Sequence, residues 1–211
     1  MYFPLQRYNT PVSPLIKPYG TIIADPPWKE QGGGKIKRGA DRHYPLMSLK
    51  DIIALGPRVK AIAAPDCHLY LWTTNNFLIK AGAEVLPAWG FTYITCITWE
   101  KENIGIGQYF RGTTEHVLFA RKGQPPYRKL ANGKRAQGKT GFATQETAIQ
   151  RSLDRDGTWF FRRKTRHSEK PSTIHEWAEK VSPGPYIELF ARSGRQGWDC
   201  WGDEAPSRVS F

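Results

Sequence analysis

Cysteine is scarce and scattered in this sequence. Cys67, Cys96 and Cys200 lie far apart, and no CxxC pair occurs. A thiolate metal site of the usual spacing is therefore excluded. The histidines have no ligand-like spacing either, so no metal is expected. An odd cysteine count without a secretory leader fits a reducing cytoplasm, prokaryotic or that of a phage-infected host. No apolar run approaches the ~20 residues of a membrane span, so no membrane association is expected. There is no GxGxxG, which argues against a nicotinamide or flavin site. No internal repeat or linker divides the 211 residues, a length that suits one domain over 1–211.

Acidic residues are also in short supply. There are 19 Asp and Glu against 31 Lys and Arg, a net charge of +12. From Arg121 to Lys170 fourteen basic residues face four acidic ones, so this stretch alone carries +10. The loop from Lys29 to Arg42 adds five basic residues against two acids. Such clustering is the footprint expected of a polyanion partner, nucleic acid first; a solvated basic face is the plainer alternative. Tryptophan, by contrast, is plentiful: eight is more than a core of this size needs, so some are expected to line a site or a surface.

The chain reads as strands alternating with helices, which argues an α/β fold with a mostly parallel sheet. Strands are expected at 21–25, 67–74, 91–101, 115–123, 158–166, 186–192 and 197–204. Helices are expected at 48–56, capped by Ser48 with Asp51 three residues on, at 75–90, and at 170–184. In the last, Ile174, Trp177, Ala178 and Val181 fall at i, i+3, i+4 and i+7. The polar, basic stretch at about 124–157 reads as a long divergent loop. In open parallel sheets ligands sit beyond the carboxyl ends of the strands. "ADPPW" (24–28) and "ELFARSG" (188–194) both close apolar strands in that way, as two halves of one site.

The residues of "DPPW" carry a chemistry of their own. Asp25 accepts hydrogen bonds from an N–H donor, and Pro26 lacks an N–H but keeps its carbonyl as an acceptor. Pro27 makes the corner stiffer, and Trp28 offers a flat face for stacking. The set suits a planar ring bearing an exocyclic amine, such as a nucleobase. A structural turn with a packed tryptophan is the alternative.

"DPPW", "HYPLMSLKDI", "LYLWTT", "WGF…ITWEK", "TEHVLFARKG", "HSEKP" and "YIELFARSGRQGWDCWGDE", in this order, resemble the MT-A70 family of N6-adenine methyltransferases, in a compact prokaryotic or phage-like form. The likeness covers roughly 17–123 and 165–204. It implies a Rossmann-like methyltransferase fold, dependent on S-adenosylmethionine, in permuted order with helices on both faces of the sheet. It implies that Asp25 and the Pro26 carbonyl hold the target amine, with Asp25 also beside the cofactor. Trp28 and Tyr44 would flank the adenine, and Glu115 would be an acid near the substrate. Trp99 is a substrate platform or a core residue on equal terms. Lys170 would meet the cofactor carboxylate, and Arg192, Gly194 and Arg195 its ribose. Asp203 and Glu204 stand where the family carries an Asn-Gln or Asn-Glu pair, so an amide is replaced by a carboxylate there. The expected partner is nucleic acid, DNA ahead of RNA, with a homo- or heterodimer left open. RNA adenine, cytosine N4 in DNA, and a non-catalytic binding subunit remain the alternatives.

Overall fold

The computed structural model describes residues 18–29, 46–101, 109–143 and 170–202. Within them runs a seven-stranded sheet: β1 (Tyr19–Ala24), β2 (Ala63–Thr73), β3 (Thr92–Glu100), β4 (Thr114–Lys122), β5 (Gly141–Ala143), β6 (Tyr186–Leu189) and β7 (Trp198–Trp201). Their spatial order is β5-β3-β4-β2-β1-β6-β7. β4 is antiparallel to both its neighbours, and every other pairing is parallel. Six strands therefore point one way and β4 alone runs back, which matches the expected mostly parallel α/β sheet. The expected strand at 158–166 falls outside the described residues.

Both faces of the sheet are covered, and the sequence shows why. β1 is buried along its whole length, and so is β2 from Cys67 to Thr73, as strands sandwiched between two layers must be. On one face Ile22, Leu69, Leu71, Leu118 and Ile187 meet the helices α1 (Leu49–Ala54), α2 (Gly56–Ile62), α3 (Leu78–Lys80) and α4 (Leu86–Trp89). A π-helical turn, Ala81–Val85, joins α3 to α4. On the other face Ile23, Tyr70, Trp72, Ile97 and Val117 pack against Ile174 and Ala178 of α5 (Thr173–Val181). The i, i+4 spacing of those two residues sets which side of α5 is buried. Ser48 and Asp51 close the expected capping box on α1, while α2 follows it directly, where only one helix was expected.

β1 is the pivot of the connectivity. The chain leaves it toward β2 on one side and returns to pair β6 on the other, so the crevice beyond β1 and β6 is the topological switch point. The strand expected over 186–192 ends at Leu189, because Phe190 turns into a left-handed conformation (φ 64°). A bulky residue holds that conformation only when its surroundings impose it. Here its ring packs edge-on against Trp201, 5.3 Å between centroids. Gly202 lies so close to this turn that a Cβ would stand 2.1 Å from the Ala191 carbonyl oxygen.

At the opposite end of the sheet a buried polar cluster ties α5 to β2. The Ser182 hydroxyl lies 2.9 Å from His68 Nδ1 and 2.7 Å from Tyr70 Oη. Burial, helped by the Arg121 charge, lowers the His68 pKa from 6.5 to about 4. Its neutral form is the one the fold stabilises, so this stability is complete above pH 6.5 and is lost as pH falls toward 4. The shift corresponds to about 3 kcal/mol at most. His68→Gln, which keeps a side-chain polar group there, should unfold in urea with a flatter dependence on pH between 6.5 and 4 than the unaltered protein.

Candidate active site

The site assembles at the carboxyl end of the parallel strands. Asp25 follows the last residue of β1, and its N–H donates to the Leu189 carbonyl at the end of β6 (3.3 Å). Glu115 stands at the start of β4, which lies at the same rim because β4 is reversed. Lys170 enters just ahead of α5. Its Nζ lies 3.1 Å from Asp25 Oδ2 and 3.0 Å from Glu115 Oε2. The other oxygen of Glu115 takes Lys101 Nζ at 3.1 Å. Two acids and two lysines thus alternate in one chain, Asp25–Lys170–Glu115–Lys101. The Lys170 ammonium also sits 5.4 Å from the centre of the Trp72 ring, within cation–π range.

The electrostatics follow from this geometry. Burial raises the Asp25 pKa, and the Glu115 charge adds to that; Lys170 and Arg192 pull the other way without cancelling it. Burial by itself would raise Glu115 as well, but Lys170 and Lys101 outweigh it and leave the Glu115 pKa lowered. Burial would depress Lys170, yet Asp25 and Glu115 together raise its pKa, so it stays charged. Lys170 contacts Asp25 through Oδ2 alone, and no described residue bonds Oδ1. The site therefore sets a carboxylate next to a fixed positive charge.

The corner after Asp25 is rigid for visible reasons. The Trp28 N–H donates to the Pro26 carbonyl (2.9 Å), the Met47 N–H donates to the Pro27 carbonyl (2.7 Å), and the Lys29 N–H donates to the Met47 carbonyl (3.0 Å).

The MT-A70 family profile matches residues 19–204, most of the chain. The chain belongs to the MT-A70 family. It is 32% identical to the Type II methyltransferase M.MunI of Mycoplasma sp. over 95% of this chain and 87% of that protein. It is 28% identical to the human N(6)-adenine-specific methyltransferase METTL4 over 89% of this chain. It is 25% identical to the N6-methyladenosine RNA methyltransferase MTA1 of Cryphonectria parasitica over 88% of this chain. The chain spans 38% and 51% of those two relatives respectively.

Against this MT-A70 frame the expected residues divide clearly. Asp25, Lys170 and Glu115 come together, and Arg192 lies near enough for its charge to act on Asp25. Trp28 is not the open stacking face that the motif implied. The residue is 6% exposed, its ring is stacked on Phe77 (5.1 Å, 28°), and its Nε1–H donates to the Trp72 carbonyl (3.0 Å). A side chain with its face and its donor both engaged anchors the corner. The Pro26 carbonyl is likewise not free: Trp28 uses one of its lone pairs, leaving the second. Trp99 sits in an aromatic cluster on the α5 face, edge-on to Trp72 and stacked with Phe142. Arg195 is committed to Glu179 of α5, 3.2 Å from Nε to Oε1, while Gly194 is exposed. Tyr44, Asp203 and Glu204 lie outside the described residues.

Lys101 is the residue that sequence reading missed. Its only signal was its place, the last residue of "ITWEK" at a strand end. Among the described residues no three His, Cys, Asp or Glu side chains cluster as metal ligands. No described helix is long and apolar enough to cross a membrane.

Proposed function

We infer that this protein methylates the N6 amine of adenine in DNA. The observation that carries the reading is Asp25, a carboxylate fixed at a strand end with Oδ1 turned to no described partner and Oδ2 held by Lys170. An exocyclic amine has two N–H groups, and an acceptor held beside a cation can take one of them. DNA is favoured by the match to a Type II methyltransferase over most of both chains, whereas the relative named for RNA is matched over about half its length. The excess of positive charge suits a phosphate backbone, and affinity of that origin falls with salt.

The residues present fit S-adenosylmethionine. Lys170 supplies a cation for its carboxylate, and the acids at the rim suit its sulfonium and ammonium charges. Arg192 and the turn at Phe190 border the same crevice. When bound, that molecule supplies an electrophilic methyl group. Asp25 orients the amine and stabilises the positive charge that develops on it, so its contribution is positioning and electrostatic. Its raised pKa also makes it a base able to take the proton the methylated amine must lose. Lys170 keeps Asp25 from swinging, through a contact that both acids share. An adenine within a duplex must leave the stack to reach Asp25.

The test is direct. The protein is incubated with S-adenosylmethionine and double-stranded DNA, single-stranded DNA or RNA, and each polymer is digested and weighed as nucleosides. N6-methyldeoxyadenosine is the expected product. N6-methyladenosine in RNA alone would move the substrate, N4-methyldeoxycytidine would move the target atom, and no methylated base would overturn the reading.

A further inference from the structure

Lys101 lies one step beyond the groups that would touch substrate or cofactor, yet it is wired to them. Its ammonium takes Glu115 Oε1 at 3.1 Å, while Glu115 Oε2 takes Lys170 at 3.0 Å. Its own backbone is pinned as well, since the Lys101 N–H donates to the Thr113 carbonyl (2.7 Å), two residues before Glu115. β3 and β4 are in register here, with Trp99 opposite Glu115 and Glu100 opposite Thr114. The side chain is about a quarter exposed, which leaves its charge only partly screened.

We propose that Lys101 is a positioning residue for the transfer. By occupying one oxygen of Glu115, it stops that carboxylate from capturing Lys170 with both oxygens. Lys170 then stays shared with Asp25 Oδ2, and Asp25 Oδ1 is left facing the incoming amine. Without Lys101, Glu115 would draw Lys170 toward itself. Asp25 would lose its restraint and much of its counter-charge. Kinetically this role rests on the methyl-transfer reading above.

Among the described residues, the groups that act on Asp25 come from four elements: Lys170 ahead of α5, Glu115 on β4, Arg192 after β6, and Lys101 at the end of β3, through Glu115. Two substitutions should therefore move its titration in opposite directions. Lys101→Met removes a positive charge and frees Glu115 to pull Lys170 away, so Asp25 should titrate higher. Glu115→Gln removes a like charge and leaves Lys170 to Asp25 alone, so Asp25 should titrate lower.

The experiment follows the carbon-13 shift of the Asp25 carboxyl against pH in the full-length protein, beside the pH profile of kcat/KM on the polymer that is methylated. Lys101→Met should raise the Asp25 midpoint and the acid limb together, by about half a unit or more, and Lys101→Arg should restore both. Glu115→Gln should lower the midpoint. Superimposable Asp25 titrations in the unaltered protein and Lys101→Met would overturn the role of Lys101. An inactive unaltered protein would count against the methyl-transfer reading instead, and the carbon titration would still decide for or against Lys101.

Discussion

Asp25→Ala is expected to reduce methyl transfer by about 10²–10³-fold in kcat, the size of losing one preorganised electrostatic contact at a reacting group. Binding of S-adenosylmethionine, measured by calorimetry, should weaken far less than turnover does. Lys170 keeps Glu115 as a partner at 3.0 Å when Asp25 is truncated, so the buried cation is not abandoned. That second partner makes the substitution informative, because the loss can be assigned to the amine and not to a collapsed site. Turnover within a few-fold of the unaltered protein would remove Asp25 from the mechanism.

The second large effect is on stability. Lys170→Met leaves Asp25 and Glu115 as like charges with no cation between them, and Lys101 reaches only Glu115. Breaking a buried pair by removing one partner typically costs 3–5 kcal/mol. Asp25 and Lys170 keep 20% and 16% of their side-chain surface exposed, which puts this site at the lower end, at about 3 kcal/mol. For a chain of this length that is a fall in Tm of roughly 6–12 °C. The sign with pH is fixed by Asp25. Its pKa is already raised by burial and rises further without Lys170, so protonation relieves the repulsion as pH falls. The Tm deficit should therefore be large at pH 8 and shrink toward pH 5. A deficit independent of pH would mean that lost packing over Trp72, not charge, is the cause.

Much of the fold was legible in the sequence because its signals were local. Apolar strands stopped by polar or glycine-bearing corners, the capping box at Ser48, and the spacing of Ile174 and Ala178 each depend on a few neighbouring residues. Asp25 was legible for the same reason, since a carboxylate closing a buried strand needs an explanation. What was not legible depended on long-range partners. Nothing beside Trp28 in the sequence says that its ring lies on Phe77 and its donor on Trp72. Nothing near Arg195 says that Glu179 holds it. Lys101 and Glu115 are fourteen residues apart and meet only because β3 and β4 pair in that register. The reach of α2 was missed because "GPRVKAI" opens with two residues that usually end helices, although proline suits a first turn.

The reversal of β4 also decides how the basic region can be taken apart. β4 delivers the chain, at Lys122, to the rim opposite Asp25, and the next described strand, β5, begins beside Thr98 near the rim that carries Asp25. The intervening residues must climb the sheet along the α5 face, where Gly138 lies against the Trp177 ring. From the level of Thr92 to that of Thr98 is six residue steps, or roughly 20 Å. A handful of extended residues could cover that distance, and 124–140 provides seventeen. Part of the surplus is the small hairpin in which Lys129 bridges Arg135 around Gly133. Its tip is therefore the expendable part: excising it would remove Lys134 while leaving enough chain for the climb, whereas cutting further would shorten the tether that keeps β5 on the edge of the sheet.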